Sequence, residues 1–148
     1  MNIKTGRFLG VMMIAVVAAA MGSIVYRDGP PAGEKSDAKN LIPWRTDLES
    51  ARREAIAADK PLFIEFSAGW CPDCREMETQ TWSDAHVAEA MKAFVPVQID
   101  FDSQADLVKQ FEVKSIPTLL IVDPRSGNIM QQSRANVLLP DRFLAWLK

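Results

Sequence analysis

The chain has 148 residues, 48% hydrophobic and 24% charged, with two cysteines and a net charge of −2. That composition fits one globular domain plus an extension, and neither a disordered chain nor a disulfide-stapled mini-protein. Three of the 17 bases lie in the first 27 positions, leaving 14 bases against all 19 acids, so no basic patch speaks for nucleic acid as a partner.

Phe8 to Tyr26 (FLGVMMIAVVAAAMGSIVY) carries no charge, with Lys4 and Arg7 before it and Arg27 after it. As a helix it spans about 28 Å, close to a bilayer core of roughly 30 Å. Its length favours an uncleaved inner-membrane anchor. Ala18, Ala19 and Ala20 also offer a small-residue cleavage site, so a signal peptide that releases the rest is the alternative. Either way residues 1–27 address the remainder across the membrane, with the basic flank staying cytoplasmic. Residues 28–40 (Asp28 to Asn40), rich in Pro, Gly and charge, read as a flexible tether. The folded domain is expected over 41–148.

Thr46 to Asp59 predicts a helix capped by Thr46 or Asp47, with Leu48, Ala51, Ala55 and Ile56 on one face. Leu62 to Ser67 (LFIEFS) predicts a buried strand, interrupted in character by Glu65. A helix opens at the cysteines, with Pro72 suited to its first turn. Ser83 or Asp84 caps a further helix to about Ala93. Val95 to Phe101 predicts a strand whose regular part starts at Val97, because Pro96 opposes pairing on both sides. Then come a short helix over Gln104 to Phe111, a strand over Thr118 to Asp123, a turn at Pro124 to Gly127 and an antiparallel strand over Asn128 to Ala135. The closing helix, Leu139 to Lys148, turns Phe143, Leu144, Trp146 and Leu147 inward. The order of elements predicts an α/β fold with a central mixed sheet flanked by helices.

Both cysteines lie in GWCPDC, Gly69 to Cys74. Two nearby thiols bind metal, staple the chain or exchange electrons. Structural zinc wants four ligands, and the lone His86 reads as a surface residue on a helix, so no metal is expected. Cu(I) bound by the two thiolates is weakened by the lack of Met or His beside them. Nor is there a nucleotide or phosphate-loop motif, so no cofactor is expected. A static disulfide and an exchange site both stay open. For exchange, Cys71 at the exposed first turn is favoured as thiolate by the helix N-terminus, and Cys74, one turn in and more shielded, is the resolving thiol.

Further motifs bear on that choice. ADKPLFIEFSAGWCPDCREME, then VQIDFD, then VKSIPTLLIVD resemble the thioredoxin superfamily in content and order. The stretch KPLFIEFSAGWCPDCREMETQTWSDAHV is similar, more narrowly, to the C-terminal periplasmic domain of DsbD-type thiol:disulfide interchange proteins. The resemblance implies a thioredoxin-like fold and a redox-active Cys71–Cys74 disulfide. Trp70 matches the active-site lead-in, and Ile116, Pro117 and Thr118 match the substrate-binding segment with its cis-proline. Glu65 falls where the family keeps a buried acid able to relay a proton to Cys74, while Pro96 stands where the family lysine near that acid is found. Asp73, between the cysteines, opposes a neighbouring thiolate and leans the pair toward donating electrons. One partly solvated charge biases that poise without deciding it. Unlike full DsbD, the chain has no multi-span electron-transporting region. The resemblance therefore implies an extracytoplasmic reductase with protein dithiol or disulfide substrates and a separate upstream donor, an oxidase, isomerase or non-catalytic binding module being the alternatives.

Overall fold

The computed structural model describes residues 39–148. The expected membrane segment, and most of the tether, lie outside the described residues. Among the described residues, no helix is long and apolar enough to cross a membrane.

The elements run α1 (Leu48–Ala58), β1 (Leu62–Ser67), α2 (Pro72–Gln80), α3 (Ala85–Met91), β2 (Val95–Asp100), α4 (Ala105–Gln110), β3 (Thr118–Val122), β4 (Ile129–Arg134) and α5 (Pro140–Trp146). Four strands form one sheet in the order β2-β1-β3-β4. β1 runs parallel to β2 and antiparallel to β3, and β3 pairs antiparallel with β4. The sheet is therefore mixed, as the alternation of elements predicts.

Local chemistry sets the ends of α1. The Asp47 carboxylate accepts from the Ser50 N–H at 2.7 Å, and Asp59 closes the helix in the left-handed region at φ 53°. Leu48, Ala51 and Ala55 are buried, but Ile56, expected on the same face, is 38% exposed. At about 100° per residue it lies one step round the helix from Ala55, beyond the edge of the buried stripe.

β1 is central, and its side chains feed two cores. Leu62, Ile64 and Phe66 pack with Val97, Ile99 and Leu120 on the α1 side. Phe63 packs with Met77, Trp82, Leu119 and Phe143 on the other. Coverage on both faces explains the nearly continuous apolar run. Leu144, Trp146 and Leu147 are only partly buried against the second core, and Phe143 is the α5 residue that reaches its centre.

β2 starts at Val95, not Val97, and takes Pro96 into the ladder opposite Phe63. The sequence expectation assumed a need for partners on both sides. β2 is an edge strand, and the Pro96 carbonyl faces outward, accepting from the Arg45 N–H at 3.0 Å. Its nitrogen faces the same way, so the missing N–H breaks no bond to β1.

Candidate active site

β1 ends at Ser67, and three residues, Ala68 to Trp70, separate it from the cap of α2. Cys71 is the N-cap: its N–H donates to the Ala68 carbonyl at 3.1 Å, and its Sγ accepts from the Cys74 N–H at 3.1 Å. Pro72 takes the first-turn position, where a missing N–H costs nothing. One helical turn brings the two cysteines together as a disulfide, with Cα atoms 5.3 Å apart.

Cys71 and Cys74 are each 3% exposed. This corrects the expectation of an exposed Cys71 beside a shielded Cys74. Ala68, Phe101 and Ile116 close over the pair, and two of these three come from loops distant in sequence. What separates the cysteines is their surroundings. Cys74 lines a polar cavity of about 490 Å³ with Ser67, Arg75, Glu78, Gln98 and Asp100.

The Ile116–Pro117 peptide bond is cis. Ile116 packs against the cysteines, and Pro117 and Thr118 are buried at the start of β3. The Thr118 hydroxyl donates to the Ser115 carbonyl at 2.7 Å, and the Pro117 carbonyl accepts from the Ala135 N–H at 2.9 Å. Those bonds fasten the segment at the rim of the disulfide.

Trp70 is 60% exposed, yet its indole is not loose. Nε1 donates to Asp102 Oδ2 at 2.7 Å, and Arg75 donates to the Gly69 carbonyl at 2.8 Å. Asp102 escaped the sequence reading, although the acid just past VQID was a visible signal. Asp73 is exposed in the first turn of α2, where an acid suits the helix dipole. His86 lies exposed on α3. Among the described residues, no three metal-ligating side chains converge.

Glu65 is fully buried on the α2 face of β1. Its Oε1 accepts from Trp82 Nε1 at 3.1 Å, and its Oε2 accepts from Gln98 Nε2 at 2.9 Å. Neither partner was foreseen. Gln98 is its direct neighbour across the ladder, whereas Pro96 faces Phe63. Burial pushes the carboxyl up from its ordinary 4.5 to about 7; the two hydrogen bonds pull it down, and nearby Glu78 raises it slightly.

A carboxyl whose folded value lies above its unfolded one binds a proton in the native state where the unfolded chain has lost it. Folding stability therefore falls as pH rises from 4.5 to about 7 and levels off above. The expected loss is about 3 kcal/mol. Urea melts across that window should show it, and Glu65→Gln should flatten the slope; an equal slope in that variant would assign the effect to other groups.

A mixed sheet with a two-cysteine turn at a helix N-terminus and a cis-proline beside it defines a thioredoxin-fold protein with a Cys-x-x-Cys disulfide. The chain belongs to the thioredoxin-like family, whose family model matches residues 43–124. It is 33% identical over 164 residues to the thiol:disulfide interchange protein DsbD of Ralstonia nicotianae, covering 98% of this chain and 27% of that one. It is 27% identical to the DsbD of Actinobacillus pleuropneumoniae, covering 95% of this chain and 25% of that one. The chain thus spans about a quarter of the length of these relatives. Among solved structures, the oxidised C-terminal domain of Neisseria meningitidis DsbD superposes with a TM-score of 0.58 at 25% identity, covering 70% of this chain and 95% of that one. A thioredoxin from Thermus thermophilus shares the fold, with a TM-score of 0.64 at 23% identity, covering 72% of this chain and 85% of that one.

Proposed function

We propose that the chain is an extracytoplasmic thiol:disulfide oxidoreductase working as a reductase. Residues 1–27 hold it to the inner membrane, residues 28–40 tether it, and residues 41–148 carry the chemistry. The observation that carries the reading is the Cys71–Cys74 disulfide at the N-terminus of α2, rimmed by Ile116 and Pro117. The similarity to interchange proteins supports the same class of reaction.

In the reduced state the Cys71 thiolate attacks a partner disulfide. A Cys71–partner bond forms and one partner thiolate leaves. Cys74 then loses its proton across the cavity it shares with Gln98, with Glu65 as the final acceptor, and attacks Cys71 Sγ. The mixed disulfide breaks, the second partner thiolate leaves, and the Cys71–Cys74 bond holds the oxidised state. Two electrons have passed to the partner, so a second dithiol must reduce the pair again. The Cys71 Sγ already accepts the Cys74 N–H, which favours a thiolate there. Ile116 offers its backbone to an extended client segment in the manner of strand addition.

Equilibrating the 148-residue chain with thiol–disulfide buffers and counting free thiols by alkylation gives the reduction potential. The expected value lies below about −200 mV, toward the thioredoxin end of the range. A value near about −120 mV would reverse the direction and make the chain an oxidase.

A further inference from the structure

Glu65 has no water-facing surface, and each of its oxygens has one side-chain donor. The two donors arrive from different elements. Trp82 follows α2, and Gln98 stands on β2 directly across the ladder. Trp82 is fully buried, and its ring meets Trp44, Phe63 and Phe143 edge-on at centroid distances of 5.3, 6.0 and 5.0 Å. Packed on these sides, the indole N–H is held on the acid. Gln98 is half-buried and lines the same cavity as Cys74, so one amide separates the second carboxylate oxygen from the space beside that cysteine.

We propose that Trp82 and Gln98 are positioning residues for the resolving step: one N–H from each fixes an oxygen of Glu65, and Gln98 aims the acid at the cavity that Cys74 lines. The proposal rests on the reading of Cys74 as the resolving thiol. The groups facing the acid leave this task to the two donors. The charged side chains lining the cavity are Glu78 and Arg75 from α2 and Asp100 from β2, and of these only Glu78 acts appreciably on Glu65. On its other side β3 presents the apolar Leu119.

The physical role is a balance. Burial alone would keep the acid protonated through neutral pH and unable to take a proton from Cys74. Each N–H favours the carboxylate and brings its titration back toward neutrality. Trp82→Phe keeps an aromatic ring and removes one donor; Gln98→Met keeps the length and removes the other. Each should move the Glu65 midpoint upward by roughly half to one pH unit.

The test is a carbon-13 NMR titration of the Glu65 carboxyl in the 148-residue chain between about pH 5 and 9. It is run beside the Trp82 indole N–H resonance and the pH profile of disulfide reduction by dithiothreitol. The Trp82 resonance should move with the Glu65 midpoint. Both variants should raise that midpoint, the inflection in the rate should rise with it, and Glu65→Gln should lack the inflection. If Trp82→Phe does not fold, Gln98→Met, at a half-buried position, carries the test by itself. A Glu65 midpoint unmoved in the folded variants overturns the positioning role. Absence of exchange by the unmodified chain at every pH instead overturns the oxidoreductase reading on which the proposal rests.

Discussion

Cys74→Ser is expected to turn the chain from a catalyst into a trap, while Cys71→Ser abolishes exchange down to the rate of buffer alone. The asymmetry follows from position. Cys71 is the N-cap of α2 and its Sγ already accepts an N–H; Cys74 lies a turn further in, against the polar cavity. With serine at position 74, the mixed disulfide on Cys71 has no neighbouring thiolate to displace it, and a hydroxyl is too weak a nucleophile to substitute. Covalent adducts should then accumulate, visible on non-reducing gels and identifiable by mass spectrometry. Adducts with Cys71→Ser in place of Cys74→Ser would swap the two roles. Adducts with neither would leave the disulfide a static staple.

Phe63→Ala should cost about 3–5 kcal/mol, a large share of the 5–15 kcal/mol typical of a domain. Phe63 is fully buried on the central strand. Its ring lies 5.7–6.3 Å from those of Trp44, Trp82, Phe94, Phe143 and Trp146, in edge-on or tilted contacts. Removing it loses apolar burial and leaves a cavity among rings contributed by several parts of the chain, which cannot collapse together. Denaturant melts measure the loss. A cost below about 1 kcal/mol would mean that the second core repacks freely, against the close-packed picture. Because Trp82 holds both this core and Glu65, the variant should also disturb the carboxyl titration.

The legible parts of the fold were those governed by near neighbours. Asp47 three residues before the Ser50 N–H, Pro72 at the first turn and cysteines one helical turn apart are local geometry. LFIEFS was readable as a buried strand because both of its faces are covered. The places where expectation and structure part depend on what lies alongside. Pro96 is tolerated because β2 is an edge, and strand order is a property of the whole sheet. Ile56 misses the core by one angular step.

The site divides the same way. By itself the sequence determined that two thiols sit at a helix N-terminus, preceded by a tryptophan and followed far downstream by Ile116-Pro117. It also put an acid on a buried strand. Only the tertiary structure decided that both cysteines are covered, that Asp102 holds Trp70, and that Trp82 and Gln98 hold Glu65. Those three bonds join residues 32, 17 and 33 positions apart. Spacing along a chain specifies contacts within a turn of helix or along a strand. Contacts between elements are specified by how the two cores pack around β1, and there burial turned an ordinary glutamate into a group that titrates near neutrality.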